Sequence, residues 1–179
     1  KQIVNCGIRL FQEVYSLGID EISVEGSQEQ KPKDQATSRQ KWELRGALGA
    51  LNWKCTQTAP WMSATVSYYQ GVQNDAAIDD LMMVNKLVRE SKALADVGIT
   101  FYSDIQEPRL ACFSDASWAC RRDGSSRGGV ICLLVSKTFL QGKESAFSPL
   151  GWGSRKLPRV ARSSTSAEAQ QLGNSLDSL

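Results

Sequence analysis

The six residues Val130-Ile131-Cys132-Leu133-Leu134-Val135 carry no polar or charged side chain. A run this short is a strand rather than a helix, and a strand with no polar face has to be covered on both sides. It therefore predicts the centre of a sheet. Leu110–Trp118 precedes it, separated by the turn chemistry of Asp123-Gly124-Ser125-Ser126, and Leu150–Arg155 follows it. Leu110–Trp118, Gly129–Val135 and Leu150–Arg155 predict consecutive strands, and Ser163–Leu179 a final helix, which makes a β-β-β-α unit. The first strand delivers one carboxylate, Asp115, within Ala111-Cys112-Phe113-Ser114-Asp115-Ala116-Ser117-Trp118-Ala119. A lone carboxylate on a buried strand carries a large desolvation cost unless a hydrogen bond, a basic partner or a divalent metal offsets it.

The rest of the chain has a different period. Ile3–Phe11 and Ile19–Val24, separated by Tyr15-Ser16-Leu17-Gly18, predict a β-hairpin. Gly26–Gln40 is polar, contains Pro32 and predicts a linker or surface loop. Lys41–Cys55 places Leu44, Leu48, Leu51 and Cys55 at helical spacing. Gly46 and Gly49 weaken that helix, and close approach of a neighbouring backbone is their expected use. Ser63–Gln73 predicts a second helix. Ile78–Val97 predicts the longest, with Leu81, Val84, Val88, Ser91 and Ala95 on one stripe and Asp79 and Asp80 in its first turn, where the helix dipole favours negative charge. The expected class is α/β (α+β overall), divided into a hairpin and linker at 1–40, a helical segment at 41–108 and the β-β-β-α unit at 109–179.

Composition removes several functions. The chain has no His, and Cys6, Cys55, Cys112, Cys120 and Cys132 include no C-x-x-C pair. A Cys/His zinc site and a Ser-His-Asp or Cys-His catalytic pair are thereby unsupported. The scattered, odd-numbered cysteines predict reduced, mostly buried thiols in an intracellular protein that is not secreted, and no apolar run approaches a membrane span. Residues 1–109 hold 12 Lys and Arg against 14 Asp and Glu, while residues 110–179 hold 9 against 5. The basic excess is confined to the β-β-β-α unit, a mild signal for nucleic acid.

Two clusters there carry candidate chemistry. Glu168 lies on the final helix with Leu172 and Leu176 at i+4 and i+8, a stripe expected to face the sheet. A carboxylate on it can meet Asp115, and two converging carboxylates invite Mg²⁺ together with substrate phosphate oxygens. Against this, Thr165-Ser166-Ala167-Glu168 fits a helix capping box, and Asp115 fits a turn or N-cap at a strand end. Arg121, Arg122 and Arg127 border the turn after the first strand, and Arg155, Lys156, Arg159 and Arg162 precede the final helix. They fit either phosphate contacts or an ordinary solvated surface, and Trp118 and Trp152 beside them fit either base stacking or core packing. Lys86, Arg89 and Lys92, at i, i+3 and i+6 on the long helix, fit a solvated face better than a backbone-tracking stripe.

The joint order of these motifs resembles one family. Phe113-Ser114-Asp115-Ala116-Ser117-Trp118-Ala119, the Gly-Ser turn, the apolar strand, Trp152-Gly153-Ser154-Arg155-Lys156-Leu157-Pro158 and Val160-Ala161-Arg162-Ser163-Ser164-Thr165-Ser166-Ala167-Glu168-Ala169 resemble the ribonuclease H region of copia-type (Ty1/copia) retrotransposon Pol polyproteins. Leu44-Arg45-Gly46-Ala47-Leu48-Gly49-Ala50-Leu51-Asn52-Trp53 and Thr56-Gln57-Thr58-Ala59-Pro60 resemble the segment joining reverse transcriptase to it. The resemblance implies the end of a polymerase palm, a helical thumb or connection segment and the N-terminal half of a ribonuclease H domain. Its implied activity is hydrolysis of RNA in an RNA–DNA hybrid, with Asp115 and Glu168 as catalytic ligands of Mg²⁺ or Mn²⁺ and the rest of the polyprotein as partner. Three features depart from the family pattern. Tyr68-Tyr69 is not followed by Asp-Asp, Trp61 stands where the family has Asp after its Thr-Arg-Pro, and Ser117 replaces the second Asp of its S-D-A-D-W. A further catalytic Asp is expected after the final helix, so the chain by itself is expected to be inactive or nearly so. The competing expectation is a non-catalytic nucleic-acid-binding remnant of a decayed element, and a purely structural domain is a third.

Overall fold

A computed structural model of the chain describes residues 2–3, 7–24 and 31–176. Its elements form two compact units, Phe11–Val97 and a second made of Lys1–Leu10 with Gly98–Leu179. These units cut across the sequence segments 1–40, 41–108 and 109–179. The mixture of helices and antiparallel strands is that of an α+β chain.

The Phe11–Val97 unit is built on helices: α1 (Glu13–Leu17), α2 (Ser38–Gln57), α3 (Ser63–Val72) and α4 (Ile78–Ala93), with a short 3-10 turn at Pro60–Met62. Thr37 and Gln40 start α2 with a reciprocal capping box, in which the Gln40 N–H donates to Thr37 Oγ1 at 3.3 Å and the Thr37 N–H to Gln40 Oε1 at 2.9 Å. Leu44, Leu48, Leu51 and Cys55 of α2 pack with Met62, Val66 and the α4 stripe Ile78, Leu81, Val84 and Val88 into one buried core. The first N–H groups of α4 have no intrahelical acceptors, and the preceding loop supplies them. Ile78 donates to the Asp34 carbonyl at 3.0 Å and Asp79 to the Pro32 carbonyl at 2.9 Å. At its other end, the buried Lys54 ammonium donates to the carbonyls of Ser91 at 2.8 Å and Leu94 at 3.4 Å. Burial pulls the Lys54 pKa below the ordinary lysine value.

The hairpin expected between Ile3–Phe11 and Ile19–Val24 does not form. Residues 12–18 run through α1, and Ile19–Val24 is neither strand nor helix. Its backbone is satisfied by side chains instead: the Ile22 N–H donates to Asn85 Oδ1 at 2.7 Å, Asn85 Nδ2 donates to the Ile22 carbonyl at 2.9 Å, and the Ser23 N–H donates to Glu43 Oε2 at 2.8 Å. Ile19 and Ile22 still reach the helical core. The β-branched residues therefore report burial against helices, and the carboxamide of Asn85 takes the place of a partner strand. In the expected Gly26–Gln40 loop, residues 26–30 fall outside the described residues, residues 31–37 dock on the start of α4 and residues 38–40 are already helix.

In the second unit, β1 (Gln2–Ile3), β2 (Gly7–Leu10) and β3 (Ile99–Tyr102) form one antiparallel sheet in the order β1-β2-β3. β4 (Arg109–Ser117), β5 (Arg127–Val135) and β6 (Phe147–Lys156) form another in the order β4-β5-β6. The apolar run is the central strand, as expected. It is less covered than expected, with Val130, Ile131 and Leu134 half-buried. β6 carries a bulge opposite Cys132 and Leu133. α5 (Ser164–Leu176) lies across β4 and β5. Gly128 permits its close approach, because a Cβ there would overlap the Gln171 carboxamide.

Neither Gly46 nor Gly49 is approached by a neighbour; a Cβ at either position meets nothing within 4 Å. Both are exposed interior positions of α2. Gly46→Ala and Gly49→Ala are each expected to raise stability by up to about 1 kcal/mol in urea unfolding, and a loss at either site would contradict this placement. Asn85→Ala is expected to cost about 2 kcal/mol by the same measurement, because it leaves the N–H and carbonyl of the buried Ile22 without their partner.

Candidate nucleic-acid and metal site

Asp115 lies on β4 opposite Gly129, two register steps from the strand end at Ser117. β4 is an edge strand, and Asp115 is exposed. The desolvation problem expected for a buried carboxylate therefore does not arise. Glu168, also exposed, lies in the second turn of α5, where its Oε1 accepts the N–H of Ala116 at 3.3 Å. The two carboxylate-bearing residues thus meet at one peptide unit, on the open edge of the sheet.

The helix cap does not account for Glu168. The N–H of Ser166 donates to Ser163 Oγ at 3.1 Å, so Ser163 caps α5 and Thr165 lies inside the helix. Glu168 is past the position from which a capping-box glutamate reaches back. The face of α5 turned to the sheet is also one residue away from the expected stripe. Ala167, Gln171 and Ser175 are buried, whereas Leu172 and Leu176 are exposed. Gln171 anchors that face, its Nε2 donating to the Gly129 carbonyl and to Ser175 Oγ at 3.0 and 3.1 Å. The sequence signal for this anchor is the small or polar trio at i, i+4 and i+8, which the leucine stripe outweighs.

Strand register gathers the basic residues at the same end. Ser117 pairs with Arg127 and Arg127 with Lys156, so the end of β4, the start of β5 and the end of β6 coincide. Arg121 and Arg122 lie in the β4–β5 turn, Arg155 and Lys156 on β6, and Arg159 and Arg162 in the connection to α5. Arg122, Arg155, Lys156, Arg159 and Arg162 are exposed, and Arg121 and Arg127 half-buried. Two contacts lock these loops together. Trp118 Nε1 donates to the Ala161 carbonyl at 3.0 Å, and the Leu157 N–H donates to the Ser126 carbonyl at 3.0 Å. Trp118 keeps half its surface exposed. Ser126, buried, also accepts the Ala119 N–H at 3.0 Å, in a turn where Ala119 and Gly124 both have positive φ.

Lys156 is committed to an ion pair, 2.7 Å from Asp123. Its ammonium, with the Ser125 hydroxyl and N–H, holds the Asp123 carboxyl well below the usual carboxylate range. In the helical unit, Arg89 pairs with Glu21 at 3.2 Å, in keeping with a solvated face for Lys86, Arg89 and Lys92. Of the cysteines, Cys55 and Cys132 are buried as expected, Cys112 and Cys120 are exposed, and Cys6 lies outside the described residues. Among the described residues no helix is long and apolar enough to cross a membrane.

Asp115 and Glu168 supply hard oxygen donors of the kind Mg²⁺ or Mn²⁺ takes, and Mg²⁺ is commonly held by only one or two carboxylates plus substrate phosphates. The donor chemistry fits. Among the described residues, no group of three or more His, Cys, Asp or Glu side chains converges on a metal position. Comparison of the chain with protein-family models, curated proteins and solved structures finds no match in any of the three.

Because its folded pKa is depressed, Asp123 contributes stability that is present above its unfolded value and is lost only as pH falls from there through the folded value. Its carboxyl resonance is accordingly expected to titrate well below the usual range by NMR, and to return towards it in Lys156→Met. An ordinary midpoint in the unsubstituted chain would contradict the ion pair.

Proposed function

We propose that the β4-β5-β6-α5 unit is a ribonuclease H-like nucleic-acid site of a retrotransposon Pol polyprotein, in which Asp115 and Glu168 hold Mg²⁺ or Mn²⁺ against the backbone of an RNA–DNA hybrid. The observation that carries the reading is the Glu168–Ala116 hydrogen bond, which brings the helix carboxylate to the peptide unit beside Asp115. The motif order supports it, and so does the collection of Arg121, Arg122, Arg127, Arg155, Lys156, Arg159 and Arg162 at the same end of the sheet.

In this reading the bound metal supplies Lewis-acid stabilisation of charge on a phosphodiester oxygen. The chain's own residues bind and orient. Asp115 presents oxygens from the edge strand, the Ala116 N–H holds Glu168 in place, and the exposed guanidinium groups attract phosphates without reading sequence. Two carboxylates suffice to seat a metal on a phosphate but fall short of a full catalytic set, so hydrolysis by this chain alone is expected to be very slow. A second reading, a non-catalytic hybrid-binding remnant, rests on the exposed arginines alone, which attract a nucleic-acid backbone without a metal.

Hybrid binding measured against salt and Mg²⁺ separates these readings. A linear fall of log affinity with log salt is expected, with a slope reduced by about one in Arg159→Gln if that side chain neutralises a phosphate. Mg²⁺ is expected to tighten binding in the unsubstituted chain and not in Asp115→Asn or Glu168→Gln. Salt-dependent binding indifferent to Mg²⁺ and to both variants would leave the non-catalytic reading, and salt-insensitive or absent binding would contradict both.

A further inference from the structure

Cys112 on β4 and Cys132 on β5 are directly opposite in the antiparallel register. The Ala116 N–H is taken by Glu168 on the open side of β4, so Ala116 and Gly128 form a non-hydrogen-bonded pair. Antiparallel pairing alternates with period two. Ser114–Val130 and Cys112–Cys132 are therefore pairs of the same kind. At such pairs the Cα atoms are about 4.5 Å apart and the side chains lean together, inside the roughly 4.4–6.8 Å range that a disulfide spans. The Cys132 thiol lies close enough to Cys112 to raise its pKa.

The pair is also reachable. Cys112 is exposed, and Cys132, although buried, lines a cavity of about 460 Å³ with Leu110, Val130, Gly151 and Gly153. A Cβ built on Gly151 or Gly153 meets nothing within 4 Å, so the space over the central strand is open. Among the other described cysteines, Cys55 lies on a helix and Cys120 in the turn after β4, so neither has a cross-strand opposite.

We propose that Cys112 and Cys132 form a dithiol–disulfide site, oxidised by exchange with a small-molecule disulfide, that staples the edge strand bearing Asp115 to the centre of its sheet. The Cys112 thiolate attacks one sulfur of the disulfide RSSR and expels one RS⁻, giving a mixed disulfide. The Cys132 sulfur then attacks Cys112 Sγ, forming the Cys112–Cys132 bond and expelling the second RS⁻. Two protein thiols and RSSR become one protein disulfide and two RSH; the protein loses two hydrogens and the reagent gains them. The inference is independent of whether Asp115 and Glu168 hold a metal.

Although Cys112 is exposed, partial desolvation of its sulfur against the sheet and the neighbouring Cys132 thiol push its pKa up to about 11, which makes its thiolate scarce at neutral pH. The test is therefore run at about pH 8.5. The folded full chain carrying Cys120→Ser, which leaves one cysteine in each relevant tryptic peptide, is incubated with oxidised glutathione. Remaining thiols are alkylated, and the chain is digested without reduction. The expected product is the Cys112 peptide linked to the Cys132 peptide, reversed by dithiothreitol. In Cys132→Ser, a glutathione adduct is expected to accumulate on Cys112 because nothing resolves it. A persistent adduct on Cys112 with Cys132 still open to alkylation in the unsubstituted pair, two thiols that both stay free, or a link that forms only in denaturant would each overturn the proposal.

Discussion

An open strand edge is the constraint around which the β4-β5-β6-α5 unit is arranged. β4 is hydrogen-bonded to β5 on one side only, which leaves backbone donors and acceptors along the other. One of these donors, the Ala116 N–H, is answered by Glu168 from α5. That hydrogen bond brings an acidic side chain to the peptide beside Asp115, and it shows which cross-strand pairs lie side by side without hydrogen bonds. The rest of the helix seat follows from the same placement: Ala167 beside Ala116, and Gln171 over Gly128 with its amide on the Gly129 carbonyl.

The charge pattern then has a physical rather than a statistical meaning. Along the sequence the basic residues are spread over some forty positions, from Arg121 to Arg162. The antiparallel register folds that stretch back so that both loops lie at one end of the sheet, and Trp118 and Ser126 join them. Asp123 takes Lys156 out of the group, leaving only arginines, whose planar, multiply donating heads suit phosphate recognition.

Much of this was legible in the sequence where a single period dominates. The stripe Leu81, Val84, Val88, Ser91 and Ala95 is buried as its spacing requires, and the three strands of the second sheet differ from expectation only at their ends. The misses have particular causes. Ile19–Val24 looks like a strand because it is a short run rich in β-branched residues, but its backbone partners are the side chains of Asn85 and Glu43, far away in sequence. Ile99–Tyr102 is too short to stand out, and it finds its partner in Gly7–Leu10. α5 lies where its pattern predicts, but its inward face is Ala167, Gln171 and Ser175, whose small or polar side chains make a weaker periodic signal than the exposed Leu172 and Leu176. Asp115 reads as a buried carboxylate because apolar residues flank it, yet it is an exposed residue on an edge strand, beside the peptide that Glu168 reaches.

The central claim is that Asp115 and Glu168 form one cation site across the Ala116 peptide. Paramagnetic broadening by Mn²⁺, followed in ¹H–¹⁵N spectra of the chain, tests it most directly. The account predicts that substoichiometric Mn²⁺ broadens the Ala116 amide and its immediate neighbours on β4 and α5 first, that Mg²⁺ in excess reverses this, and that Asp115→Asn removes it. Broadening spread evenly over the acidic surface, or centred on another carboxylate, would contradict it.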